Sequence, residues 1–198
     1  NSAKTATSAV MALVGAASAS QLIKIADGYA QMEAKVSRYT KSQIEANNVL
    51  QQLTGYANKS GSAVSDAVNV FNSLTSSLES GGASKNQILT VTEEINKLGV
   101  IGGSSVDDMR NSMRHFGQSM AGGIVRAEEF NSIIENTPEI ARAIAAGMGV
   151  SMGQLRQDML AGKLTSDAVF KALLSQVGST NDAFAKMPRS VAQAMGQI

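Results

Sequence analysis

Residues 161–165 read AGKLT and resemble the end of a phosphate-binding loop. Such a loop needs a glycine five residues before its Gly-Lys pair, a Ser or Thr directly after the lysine, and a strand leading into it. Here Gln157 occupies the position of that glycine, Leu164 follows the lysine, and a helical pattern leads in. We therefore interpret Gly162 as the end of a helix and not as part of a nucleotide site.

The other candidates for chemistry are also incomplete. GMGVSMG at residues 147–153 carries Met152 where a dinucleotide fingerprint requires glycine, and no βαβ pattern surrounds it. His115 is the only histidine and cysteine is absent, which excludes an imidazole cluster, a thiolate nucleophile and a disulfide framework. We expect His115, which lies near Arg110 and Arg114, to be a surface residue.

Acidic doublets offer no paired carboxylates, because adjacent helical residues point about 100° apart. The doublets are Glu93-Glu94, Asp107-Asp108 and Glu128-Glu129. We expect the first two to be exposed, at helix middles or starts where acids are common. The sequence therefore predicts no enzyme, no cofactor and no metal site.

The composition favours a helical protein. Hydrophobic residues make up 43% of the 198 residues, aromatics only 4%, and tryptophan is absent, so small and aliphatic side chains must build the core. With two prolines and few alternating β-branched runs, a sheet is not expected. The net charge of +1 is too small to predict specific nucleic-acid binding.

The segment at residues 5–23 has no charged side chain over a length that nearly spans a bilayer. Because most of it is Ala, Ser and Thr, its hydrophobicity is low for a membrane span. Small residues at Ala12, Ala16 and Ser20 would instead allow another helix to approach closely. We favour a helix-packing segment, and membrane insertion stays open as the alternative.

A heptad stripe follows, with spacings of 3, 4, 3, 4 and 3 residues. Met11 and Val14 extend the pattern backward, so a helix over residues 11–39 would be about 43 Å long. Such a stripe supports either packing within the chain or self-association, and both interpretations stay open. Its members are Leu22, Ile25, Tyr29, Met32, Val36 and Tyr39.

Beyond Lys41, capping residues and glycines divide the chain into short helices. We expect helix starts at Ser42, Ser84, Ser105, Thr137, Ser151, Thr165 or Ser166, and Ser179, and helix ends at Gly61, Gly81–Gly82, Gly99, Gly122–Gly123, Gly147 and Gly162. Expected core residues are Ile44, Leu50 and Leu53 in the first of these helices, and Phe130, Ile140, Ile144, Leu155, Phe170 and Leu174 near the end.

The predicted fold is all-α and has three parts. Residues 1–41 form a long N-terminal amphipathic helix, residues 42–124 a small antiparallel helical bundle, and residues 125–198 a compact C-terminal module of short helices. Three of the last helices are too short to be stable alone, so they must pack on one another. Because the chain begins with Asn1 and not Met, we expect it to be part of a longer protein.

Residues 126–174 resemble the signature of the N-terminal region of phage tail tape measure proteins. Its elements are "E-E-(F/L)-N", "P-x-(I/L)-A", "G-(V/L)-x-x-G-x-L-R" and "G-K-(L/I)-T". LIKIADGYAQMEAKV at residues 22–36 resembles the helix that precedes this signature in the family. The matching positions are Glu128, Glu129, Phe130, Asn131, Pro138, Ile140, Ala141, Gly149, Val150, Gly153, Leu155, Arg156, Gly162, Lys163, Leu164 and Thr165.

The resemblance implies a structural role and not a reaction. Tape measure proteins are long helical proteins that lie in the tail lumen, set the length of the tube that polymerises around them, and leave before the DNA. The implied partners are other tape measure chains, in a homo-oligomer that we expect to be a trimer. Tail tube proteins, tail tip proteins and tail assembly chaperones are further implied partners. Contact with the host membrane and assembly in the host cytoplasm are further implied.

The residues alone leave two other functions open for this chain. A membrane-active or pore-forming helical protein would account for the charge-free segment at residues 5–23. A generic helical scaffold would account for the heptads equally well. Hundreds of helical residues encoded beyond Ile198 in a parent gene would favour a tape measure protein. A second apolar hairpin there would favour a pore-forming protein.

Overall fold

The computed structural model describes residues 19–187, which form nine α-helices, one short 3-10 turn and no strand. The all-α prediction is therefore confirmed. The helices are α1 Ala19–Ser37, α2 Gln43–Ser60, α3 Val64–Leu78, α4 Lys85–Ile101, α5 Val106–Met120, α6 Ala127–Asn136, α7 Pro138–Met148, α8 Met152–Leu160 and α9 Ser166–Ala185.

Most of the predicted helix starts are confirmed by capping hydrogen bonds. The side chains of Ser42, Ser151 and Thr165 each accept a backbone N–H from the first turn of their helix. Ser84 and Ser105 form complete capping boxes with Gln87 and Asp108. These contacts satisfy donors that a helix start leaves unpaired, so they fix where each helix begins.

Thr137 occupies the predicted start of α7, with Pro138 at the first helical position, but its side chain does not cap that helix. Its hydroxyl instead donates to the hydroxyl of Ser112 on α5, and both residues are fully buried. The hydrogen bond satisfies two buried polar groups at once and links α5 to the junction of α6 and α7.

Two glycines that we expected to end helices lie inside them. Gly99 is within α4, and Gly147 is followed by one further residue of α7 before Gly149 ends it in the left-handed conformation. A Cβ atom on Gly147 would lie 2.3 Å from the backbone oxygen of Ala172 on α9, and one on Gly99 would meet the side chain of Met109. Both glycines therefore permit close packing of neighbouring helices.

The predicted helix start at Ser179 is also wrong, because α9 continues through it without a break. The Ser179 hydroxyl donates to the carbonyl of Gln176 one turn earlier, and the next residue, Thr180, is buried against α4. Packing along α4 thus holds a single 20-residue helix where local sequence suggests two.

One hydrophobic core connects the helices from Val36 on α1 to Leu173 on α9. α9 packs on α4 and α7, α5 packs on α3 and α6, and α1 packs on α2 and α3. The core is therefore continuous across residue 124, where we predicted a boundary between bundle and module. The division into the three domains stays a prediction.

The expected core of the last helices is confirmed. Phe130, Ile140, Ile144 and Leu155 are fully buried, Phe170 nearly so, and Leu174 is half-buried against the same cluster. The prediction that Ile44 belongs to the core is wrong, since this residue is 75% exposed. It lies two residues from the fully buried Ala46, and therefore about 200° away around α2.

Candidate functional site

The structure divides the heptad stripe into an anchored half and an exposed half. Val36 is fully buried in the core, and Tyr29 and Met32 are half-buried against it. Ile25 is 45% exposed. Leu22 lies in the first turn of α1, and its side chain falls outside the described part of the structure, as do Met11 and Val14. The C-terminal half of the stripe thus packs within the chain.

Polar contacts hold the same half of α1 in place. The Lys35 ammonium donates to Oδ1 of Asn69 on α3 at 3.1 Å, and the Gln43 amide at the start of α2 donates to Glu33. Burial, and then the nearby Glu33 carboxylate, raise the pKa of the Tyr29 hydroxyl, which therefore stays neutral. Tyr39 follows the end of α1 and is half-buried.

The first part of α1 projects from the bundle. Every described side chain from Ile23 to Asp27 is exposed, and Ile23 at 62% is more exposed than Ile25. Ile23 was not among the stripe residues, because it lies about 200° from Ile25 on the helix. Two large apolar side chains on different faces of the helix therefore meet solvent.

The AGKLT segment links α8 to α9 and contacts the α5–α6 loop. Gly162 has a φ of +66° and follows the end of α8, while Leu164 is fully buried. The Leu164 carbonyl accepts the Val125 N–H at 2.8 Å, and the Ser166 N–H donates to the Gly123 carbonyl at 2.9 Å. These backbone groups fasten the start of α9 to the α5–α6 loop. Lys163 is exposed beside them.

Glu94 is a buried acid that sequence reasoning placed on the surface. It is 2% exposed at the contact of α4 with α9, where the Thr180 hydroxyl donates to its Oε1 at 3.1 Å and its Oε2 has no partner. Burial raises the pKa of Glu94 to about 7, against the smaller lowering effects of Thr180 and Lys97. Its spacing from Val91 and Leu98 would have revealed that it shares their apolar face.

His115 is also more enclosed than expected. It is half-buried on α5, and its Nδ1 contacts the Glu129 carboxylate on α6. Arg114 lies beside it, with Nη2 at 3.4 Å from His115 Nε2. A carboxylate, an imidazole and a guanidinium thus follow one another, without a nucleophile in the set.

The described part of the chain contains neither a cluster of metal ligands nor a membrane-spanning helix. Residues 19–187 contain no group of three or more His, Asp or Glu side chains that could hold a metal ion. Within the same range, no helix combines the length and the apolar character needed to cross a bilayer. Residues 5–18, on which the membrane alternative chiefly depends, lie outside the described range.

The signature positions mostly serve this architecture. Five of them are fully buried, on α6, α7, α8 and the loop before α9: Phe130, Ile140, Ala141, Leu155 and Leu164. These side chains hold together the short helices α6 to α8 and the start of α9, none of which could bury an apolar face alone.

The sequence matches a known protein family. A family model described as tape measure protein matches residues 20–198, which includes all of α1 except its first residue and every later described helix. No curated protein sequence and no solved structure gives a significant match. On the extent of the family match, the chain belongs to the tape measure proteins of phage tails, a structural and non-enzymatic family whose members lie within the tail.

Proposed function

We propose that this chain is a compact region of the tape measure that helps to set tail length and nucleates assembly of the tube. Assembly would take place in the host cytoplasm, and the protein would leave the lumen during DNA ejection. The family match over residues 20–198 is the observation that carries this proposal.

The folded shape suggests what the region contributes. A single helix of residues 19–187 would be about 250 Å long at 1.5 Å per residue. Here the same residues fold back on themselves, and the longest described helix, α9, has 20 residues and a length of about 30 Å. A deletion inside this core would unfold the region. It would not shorten the tape measure in proportion to the number of residues removed. The region therefore suits attachment at one end of the tape measure.

The exposed part of α1 is the proposed contact between tape measure chains. The original stripe was Leu22, Ile25, Tyr29, Met32, Val36 and Tyr39. Since Val36 is buried within its own chain, the proposal centres on Ile25 and on Ile23, which lies two positions earlier on another exposed face of α1. Pairing or trimerisation there would cover apolar surface that the bundle leaves in water. Tail tube, tail tip and chaperone proteins remain proposed partners, as does a host membrane.

The test replaces Ile23 and Ile25 together with Asp in the intact phage protein. Burying a carboxylate in a contact between two chains costs enough free energy to prevent their association. We therefore expect electron microscopy to show no tails, or tails of abnormal length. Ile44→Asp is the matched control, because Ile44 is 75% exposed on α2 and lies outside the stripe. Circular dichroism of each purified chain checks that the fold is kept.

Val36→Asp would not test association, because it would place a charge in the core and unfold the chain. Normal tails of normal length from the folded double variant would contradict the proposed role of α1. The family assignment would be unaffected by that result.

A further inference from the structure

A groove of about 400 Å³ lies where α1, α3 and α5 meet. Gly117 of α5 helps to line it, close enough to α3 that a Cβ atom there would lie 3.0 Å from the Ser73 hydroxyl oxygen. Met113 and Ala121 add apolar surface to the lining. The volume is in the range of ligand pockets in proteins, which begins at about 300 Å³.

The groove is strongly cationic. Lys35, Arg38 and Arg114 line it, and its lining includes no Asp or Glu. All three side chains are exposed, and the salt bridges found within residues 19–187 use other cations. Three positive charges, from α1, from the turn that follows it and from α5, thus converge on one cavity whose lining has no carboxylate to balance them.

Arg114, which lines the groove, also contacts its neighbour His115. With its proton on Nδ1, His115 donates to Glu129, and its Nε2 can then accept from the Arg114 guanidinium at 3.4 Å. Glu129 belongs to the signature but does not line the groove. It contacts the imidazole that in turn contacts Arg114, so the three side chains form one chain of contacts.

Polar side chains of α3 complete the groove. Asn69, Asn72 and Ser73 line it, opposite Gln118 of α5. The Asn72 Oδ1 is buried and has no hydrogen-bond partner. Because the two ends of an amide can exchange places by rotation, Asn72 can present either a donor or an acceptor to a ligand. Amides and hydroxyls of this kind match the N–H and C=O groups of a peptide backbone.

We propose that this groove binds an acidic segment of a partner polypeptide, with a carboxylate held by Arg38 and Arg114. Guanidinium groups bind carboxylates through paired hydrogen bonds, and the amides would bind the peptide backbone. Residues 1–18 and 188–198 contain no Asp or Glu side chain, so these parts of the chain cannot supply the acid. Nucleic acid would require a basic surface longer than one groove on a protein of net charge +1.

The experiment measures binding of a fluorescein-labelled peptide of alternating Glu and Ala by fluorescence anisotropy at low salt. Arg38→Gln and Arg114→Gln should each weaken binding by about tenfold or more, the usual effect of losing a hydrogen bond to a charged group. Arg156→Gln is the matched control, since it removes the same charge from an exposed side chain outside the groove. His115→Phe should weaken binding less than Arg114→Gln, because it affects only the orientation of the arginine.

Three results would overturn the proposal. Equal losses in the Arg114 and Arg156 variants would show general charge attraction. Inorganic phosphate that binds as tightly as the peptide, and displaces it, would assign the groove to phosphate. Concentration-dependent dimers of the chain that Arg114→Gln dissociates would make the ligand a second copy. None of these outcomes bears on the exposed part of α1, which is tested separately by Ile23 and Ile25.

Discussion

Replacing Glu94 with Gln should stabilise the protein above neutral pH and change it little in acid. The folded chain holds Glu94 at a pKa of about 7, compared with an ordinary value of 4.5. Because the raised pKa belongs to the folded state, its stability contribution is complete below about pH 4.5 and is lost as pH rises toward 7. By about pH 8, ionisation of the buried carboxyl costs about 2–4 kcal/mol.

Glutamine reproduces the neutral acid in size and still accepts the hydrogen bond from Thr180. Urea unfolding followed by circular dichroism, at several values from about pH 5 to about pH 8, measures the free energy of unfolding of both chains. The difference between them should grow from about 1 kcal/mol or less at about pH 5 to about 2–4 kcal/mol at about pH 8. Burial also raises the pKa of Asp66, but this group is common to both chains, so its contribution cancels in the difference.

Glu135→Gln provides the control, because it removes an exposed acid from α6 and should change stability by less than about 0.5 kcal/mol. Thr180→Val supplies a second check. Loss of its hydrogen bond should raise the pKa of Glu94 further and destabilise the chain most above neutral pH. A Glu94→Gln effect that is independent of pH, or a loss of stability at about pH 8, would refute the reasoning.

Two further pairs of variants test the packing. Leu155→Ala should lower the free energy of unfolding by about 2–5 kcal/mol because Leu155 is fully buried, whereas Lys163→Ala should change it by less than about 0.5 kcal/mol. ATP with Mg²⁺ should leave the melting temperature unchanged, and a clear nucleotide-dependent rise would restore the phosphate-loop interpretation. Gly147→Ala should cost about 1–3 kcal/mol because its Cβ would clash with the backbone of Ala172. Gly178→Ala, in open space inside α9, should stabilise by up to about 1 kcal/mol, and equal shifts in melting temperature for the two glycine variants would contradict the packing argument.

The helical class and most helix starts could be predicted from the sequence, because they depend on contacts within a few residues. A capping hydrogen bond such as that of Ser105 with Asp108 spans three positions. The spacing of Ile140 and Ile144 marks one face of a helix whatever lies opposite it. The rejection of AGKLT as a nucleotide site also followed from local spacing, and the buried Leu164 explains what the segment does instead.

The burial of particular side chains depended on the tertiary structure. Gly99 and Gly147 have the same residue type as true helix ends, and only the closeness of Met109 and Ala172 shows that they permit packing. Glu94 became a buried acid because α9, more than 80 residues later in the chain, places Thr180 against it.

The candidate sites also depend partly on local sequence and partly on tertiary packing. The sequence determined that residues 22–39 carry a heptad stripe, but packing of α1 on α2 and α3 decided that Val36 is buried and Ile25 is not. The basic groove has no sequence pattern, since Arg38 and Arg114 are 76 positions apart and meet only where the helices cross. Local hydrogen bonds and periodicity are encoded in neighbouring residues, whereas exposure and the convergence of charges depend on which distant helix lies opposite.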